Sequence, residues 1–103
     1  MRLVIATAPG AEAPRLARNL VEERLAACVN IVPKVRSIYY WEGKIEDEEE
    51  ALMLIKTTGE KMDSLTKRLK EMHPYDVPEI IALEVQKEEG NSDYLDWVGE
   101  VVE

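Results

Sequence analysis

The sequence predicts an α+β fold in which helices pack on an antiparallel sheet. The first reason is the order of apolar patterns, which is strand, helix, strand, strand, helix, strand and a further helix. The second is length, because 103 residues suffice for one two-layer core and not for a second. The third is composition: 46% hydrophobic and 33% charged residues are ordinary for a globular chain and exclude a disordered or fibrous one.

The first half of the pattern is a strand, a helix and a second strand. Residues 2–8, "RLVIATA", form a β-branched run that ends at a Pro-Gly pair, which is typical of a buried strand. From about residue 12 to residue 27, apolar side chains recur at steps of three and four, which predicts an amphipathic helix. Residues 28–41 alternate as a strand does, and a change of apolar parity near Pro33 predicts a bulge or bend.

The middle of the chain is predicted to be a long hairpin. Glu42-Gly43 is a turn signal, and residues 44–58 behind it carry the apolar core "ALMLI". At about 3.3 Å per residue its strands reach roughly 40 Å, nearly twice the outer strands, so part of the hairpin has no partner in a monomer. An exposed ribbon with the aromatic sequence "YYW" near its tip invites aggregation unless something pairs with it. We therefore expect the overhang to dock on other copies of the chain.

The remaining elements complete a two-layer sandwich. Apolar residues at steps of three and four over residues 62–72 predict a second helix, which stops at Pro74. Residues 79–85, "EIIALEV", are the fourth strand, and Asn91 or Ser92 caps a last short helix. Together, these elements predict a ferredoxin-like βαββαβ sandwich with an extended central hairpin and an added C-terminal helix.

Charge and motif content exclude several functions. With 21 acidic and 13 basic residues, the formal charge of −8 repels phosphate backbones and anionic lipids, so we expect no nucleic acid and no membrane as partner. No apolar run approaches the roughly 18 residues that span a bilayer, and the N-terminal run is too short for a signal peptide. A single cysteine, Cys28, fits a reducing compartment, and we expect a cytoplasmic protein. Without a Gly-rich phosphate loop, GxSxG or CxxC, we expect no enzyme and no organic cofactor.

The only histidine lies in "KEMHPYDVPEI", residues 70–80. His73, Asp76 and Glu79 supply one nitrogen and two carboxylate donors on a proline-flanked loop, and such donors suit Cu²⁺ or Zn²⁺. They are too few for tight binding by one chain, because a structural zinc site takes about four protein ligands, so a neighbouring subunit has to complete the site. The alternative is a helix-end histidine whose imidazole satisfies backbone carbonyls, and the sequence leaves both open.

The acidic run "EDEEE", residues 46–50, is a weaker candidate for a cation site. It lacks the spacing of an EF-hand loop. On a strand, alternate carboxylates point to opposite faces, so five in a row do not converge. We interpret the run as a solvated or Lys/Arg-paired edge of the hairpin.

Five stretches, in this order and spacing, resemble the CutA divalent-cation-tolerance family across almost the whole chain: "ERLAACVNIVP", "SIYYWEGKIEDEEE", "LMLIKTT", "HPYDVPEI" and "YLDWV". The resemblance implies a single CutA-like domain over residues 1–103, a cytoplasmic homotrimer and a link to tolerance of copper and other divalent cations. Of the copper ligands proposed in the family, His73 matches the histidine of the "HPY" motif. Ala6 stands where the family has a cysteine on the first strand.

Two functions follow from these residues and this resemblance. One is a homotrimer linked to copper tolerance that binds Cu²⁺ or similar cations weakly. The other is a trimeric module, similar to the PII signalling proteins, that binds a small metabolite or protein partner in clefts between subunits. For such an intersubunit pocket we expect Trp41, Glu42, Lys56 and Tyr75 to converge with His73.

Overall fold

A computed structural model describes residues 1–102 and shows a four-stranded sheet in the order β2-β3-β1-β4, with neighbouring strands antiparallel. The elements are β1 (Arg2–Ala8), α1 (Ala13–Glu22), β2 (Cys28–Trp41), β3 (Lys44–Thr57), a 3-10 turn (Gly59–Lys61), α2 (Met62–Met72), β4 (Ile80–Glu84) and α3 (Ser92–Val101). This order confirms the ferredoxin-like βαββαβ fold with its added helix. None of the helices in this part of the chain is long and apolar enough to cross a membrane.

Alternation along the inner strands builds the core beneath two helices. Every second residue of β1 and β3 faces α1 and α2, as a strand's period of two requires. The fully buried members are Val4, Ala6, Met53 and Ile55 from the sheet, Leu16 and Leu20 from α1, and Leu65 and Leu69 from α2. This face of the sheet is therefore covered by the two helices.

The sequence prediction for α1 was wrong at its C-terminus, because the helix ends at Glu22. Arg24 follows in a left-handed conformation, with φ of 56°. The Leu25 N–H donates to the carbonyl of Leu20 (3.0 Å), and the Arg24 N–H donates to that of Val21 (3.0 Å). This is the Schellman pattern, which usually places glycine where Arg24 stands. The stop signal was therefore not visible in the sequence.

The central hairpin is longer than the rest of the sheet, as predicted. β1 pairs with β3 only over residues 51–57, so residues 44–50 are bonded to β2 alone. At about 3.3 Å per residue this overhang is roughly 23 Å long. The register shifts between Val32 and Val35, which confirms the bulge near Pro33. At the tip, positive φ at both turn residues gives the type I′ geometry that matches the twist of a hairpin.

The second face of the sheet, here called the open face, is largely uncovered. Apolar side chains that alternate with the core residues point there: Leu3 and Ile5 from β1, Leu52 and Leu54 from β3, and Ile81 and Leu83 from β4. Both β4 residues are exposed. α3 begins after its cap Asn91, whose side chain accepts the Asp93 N–H (3.0 Å). Val98 of α3 and Val102, which follows the helix, pack against Ala27.

Candidate functional site: a buried histidine at the junction of sheet and hairpin

The loop after α2 begins at the only histidine of the chain. His73 caps α2 in an extended conformation (φ −71°, ψ 137°), and its N–H donates to the carbonyl of Leu69 (2.9 Å). The following Pro74 disfavours a helical residue before it, so α2 stops here as the sequence predicts. His73 is thereby aimed back at the end of β1.

Both ring nitrogens of His73 have partners in the backbone, and the residue is only 7% exposed. Nε2 lies 2.7 Å from the carbonyl oxygen of Thr7, and Nδ1 lies 3.1 Å from the backbone nitrogen of Tyr75. A carbonyl oxygen only accepts and an amide N–H only donates, so Nε2 carries the ring proton and Nδ1 accepts. The imidazole therefore ties the loop to β1.

Tyr75 extends this chain of contacts to β3. Its ring packs at a tilt against that of His73, with centroids 4.8 Å apart, and its hydroxyl donates to Glu50 Oε2 at 3.0 Å. Burial, helped by the hydrogen bond to Glu50, raises the pKa of the Tyr75 hydroxyl far above its usual value. We call the contacts from the Thr7 carbonyl through His73 and Tyr75 to Glu50 the clasp.

Glu50 corrects one prediction made from the sequence. It was counted with the solvated acidic run, but it is only 6% exposed. It pairs with Val35 directly after the bulge, at the point where the overhang begins. The hydroxyl of Tyr75 donates to its carboxylate there, a contact that no periodic pattern shows. The one available signal is that Glu50 directly precedes the apolar segment "ALMLI".

The rest of the acidic run behaves as expected for a paired edge. Asp47 accepts two hydrogen bonds from the guanidinium of Arg36 (2.6 and 2.9 Å), and Glu49 lies 3.1 Å from the amine of Lys34. The Arg36 hydrogen bond holds the pKa of the Asp47 carboxyl below its usual value. These groups are exposed, so such pairs contribute little to stability.

Asp76 and Glu79, the predicted carboxylate ligands, are exposed on the same loop as His73. Across residues 1–102, no group of three or more histidine, cysteine, aspartate or glutamate side chains is placed to hold a metal ion. His73 and the two carboxylates fit Cu²⁺ or Zn²⁺ in the type of their donor atoms. As arranged in this chain, the three residues do not form such a group, and both nitrogens of His73 are already hydrogen-bonded.

The predicted pocket residues are spread along the hairpin of a single chain. Trp41 and Glu42 lie at the tip, whereas Lys56 lies near the other end of β3, where its amine donates to the side-chain oxygen of Asn30. On an extended strand that separation is roughly 40 Å. Tyr75 lies between these points, at the clasp. The four residues can meet only if one chain brings its tip to another.

Comparison with solved structures defines the class to which this fold belongs. The "PII-like protein CutA" from Nostoc sp. PCC 7120 superposes with a TM-score of 0.95 at 34% identity, covering 100% of this chain and 98% of that one. The "Divalent cation tolerance protein (Cut A1)" from Thermus thermophilus superposes with a TM-score of 0.94 at 50% identity, covering both chains completely. The chain thus has the ferredoxin-like fold of the CutA proteins.

Sequence comparison gives the family itself. The profile of the CutA1 divalent ion tolerance protein family matches residues 2–101. The divalent-cation tolerance protein CutA of Thermus thermophilus is 52% identical over 99 residues, which are 95% of this chain and 94% of that protein. Protein CutA of Mus musculus is 52% identical over 91 residues, and the match spans 88% of this chain but only 50% of the mouse protein. The chain belongs to the CutA1 divalent ion tolerance family.

Proposed function

We propose that this protein acts in divalent-cation tolerance as a homotrimer, and that it binds Cu²⁺ or a similar cation weakly. Family membership supports the link to cation tolerance. The proposed activity is binding rather than catalysis, and the proposed location is the cytoplasm, which the free thiol of Cys28 suits.

Self-assembly is supported by apolar surface that one chain leaves uncovered. Tyr40 and Ile45, a cross-strand pair on the overhang, are 73% and 72% exposed. The open face adds the exposed Ile81 and Leu83. Within the described chain, the outer strands β2 and β4 have a neighbour on one side only. Two unlike edges that pair head to tail between copies can close a ring, and this removes the exposed edges.

The arrangement around His73 carries the proposal that binding is weak. Its imidazole is the one nitrogen ligand of the candidate set, and Asp76 and Glu79 provide oxygen donors on the same loop. Before His73 binds a cation it has to release either the Thr7 carbonyl or the Tyr75 N–H. Releasing a buried hydrogen bond costs about 1–3 kcal/mol, which lowers the affinity roughly 5- to 150-fold.

Calorimetric titration with Cu²⁺ tests the metal proposal. We expect micromolar-class binding by the unaltered protein and its loss in both His73→Ala and His73→Asn. We also expect weaker binding in a double variant, Asp76→Asn with Glu79→Gln. Asp63→Asn, an exposed change on α2, is the matched control and should bind as the parent does. Equal copper binding by both His73 variants would refute the proposed ligand.

Light scattering at low micromolar concentration tests the assembly. The expected mass is about three times the 11.7 kDa of one chain. A monomer mass at that concentration would refute the homotrimer, whatever the titrations show.

A second candidate function is a PII-like regulatory module, and the environment of Lys56 favours it. Its amine donates to the Asn30 side chain and lies 3.8 Å from Cys28 Sγ, and among residues 1–102 no carboxylate forms a salt bridge with it. Its positive charge is therefore available to an anionic ligand. Thermal-shift screening with nucleotides and small carboxylic acids tests this candidate, with Lys56→Gln as the variant. A stabilisation that persists in Lys56→Gln would place the ligand elsewhere.

A further inference from the structure

The clasp and a cation compete for the same two atoms of His73. The Thr7 carbonyl oxygen lies 2.7 Å from Nε2, and the Tyr75 nitrogen lies 3.1 Å from Nδ1. A metal bound to imidazole lies about 2.0–2.1 Å from the nitrogen, along the direction that these partners already occupy. A cation at either nitrogen and the hydrogen bond at that nitrogen therefore exclude each other.

Tyr75 depends on His73 in two ways. Its backbone N–H donates to Nδ1, and its ring rests against the imidazole. Both contacts are lost when the imidazole leaves its place. The Tyr75 hydroxyl then has nothing within its own loop to hold it on Glu50, 25 residues away in the sequence.

We propose that the clasp is a two-state element in which release of His73 for cation binding and release of Tyr75 from Glu50 occur together. This inference rests on the proposed function, because it takes His73 to be the nitrogen ligand. The two states are then linked reciprocally: an interaction found only in the closed clasp weakens cation binding by the factor by which it stabilises closure.

The position of Glu50 links the clasp to the overhang of the hairpin. Ala51 is the first residue of β3 that pairs with β1, so Glu50 is the residue of the overhang nearest to the sheet. It also lies opposite Val35, directly after the bulge. Opening of the clasp therefore frees a buried carboxylate at the base of the segment that we propose docks on other copies. Cation binding at His73 therefore changes the surface at the proposed subunit contacts.

The test measures whether a distant hydroxyl opposes cation binding. Tyr75→Phe keeps the ring and removes the bond to Glu50, so it favours the open clasp. With Zn²⁺ as the probe, calorimetry should show binding about 2- to 12-fold tighter than in the parent, the factor that corresponds to one hydrogen bond. Tyr94→Phe is the matched control, because this tyrosine is exposed on α3 and has no part in the clasp, and it should leave the affinity unchanged.

Hydrogen exchange at the Tyr75 amide gives a second, independent readout. Zn²⁺ is diamagnetic, so ¹⁵N spectra can follow this amide, and its exchange should accelerate on saturation. Zn²⁺ binding that depends on His73, combined with unchanged affinity in Tyr75→Phe and a still-protected Tyr75 amide, would overturn the clasp alone. Absence of Zn²⁺ binding by the parent, or equal binding by His73→Asn, would overturn the proposed ligand and the clasp with it.

Discussion

Replacement of His73 should destabilise the fold, and the side-chain series Ala, Asn and Gln should separate its two hydrogen bonds. The terminal amide of glutamine reaches the position of Nε2 and can donate to the Thr7 carbonyl. The side-chain oxygen of asparagine lies near the position of Nδ1 and can accept the Tyr75 N–H. Alanine replaces neither contact.

The expected losses in the free energy of unfolding follow from how deeply each hydrogen-bonded group is buried. The Thr7 residue is buried, so an unpaired carbonyl there costs about 1–3 kcal/mol. The N–H of the partly buried Tyr75 reaches water more easily, so its lost bond costs about 0.5–1.5 kcal/mol. With the lost packing of the imidazole, His73→Ala should lower the free energy of unfolding by about 2–5 kcal/mol. His73→Gln should recover more of this than His73→Asn, because it restores the more deeply buried bond.

Urea denaturation followed by circular dichroism measures these differences. All variants are compared at one protein concentration, because assembly adds a concentration-dependent contribution to stability. A loss below about 0.5 kcal/mol in His73→Ala would show that the imidazole does not hold the loop to β1. A glutamine variant no more stable than the alanine variant would show that the bond to Thr7 is not the larger contribution.

Three further outcomes are expected. The free energy of unfolding should fall as the pH rises above about 10, because the folded-state pKa of Tyr75 is raised and ionisation therefore favours the unfolded chain; Tyr75→Phe should reduce this fall in alkaline denaturation curves. The double change Trp41→Ala with Tyr39→Ala should weaken self-assembly by about 2–4 kcal/mol or more in sedimentation equilibrium, and unaltered assembly would remove the tip from the interface. Leu16→Ala, at a fully buried position, should cost about 2–5 kcal/mol in urea denaturation, and a smaller loss would mean that the core refills the cavity.

Features that depend on neighbours along the chain could be predicted from the amino-acid sequence. Alternation and helical spacing gave the order of the elements, a parity change gave the bulge near Pro33, and Glu42-Gly43 marked the tip of the hairpin. The overhang followed from strand lengths alone. The C-terminal end of α1 could not be predicted, because Arg24 takes the left-handed conformation that glycine usually adopts at the end of a helix.

The groups that the histidine contacts depend on the tertiary fold. His73 bonds to a carbonyl 66 residues away, and Tyr75 bonds to a carboxylate 25 residues away. The packing of α2 over the sheet brings these groups together, and no periodicity within the loop encodes that distance. For the same reason the sequence left two hypotheses for His73 open, a metal ligand and a helix-end residue bonded to carbonyls. In the folded chain, hydrogen bonds to the backbone occupy both ring nitrogens, which are the atoms that a metal would require.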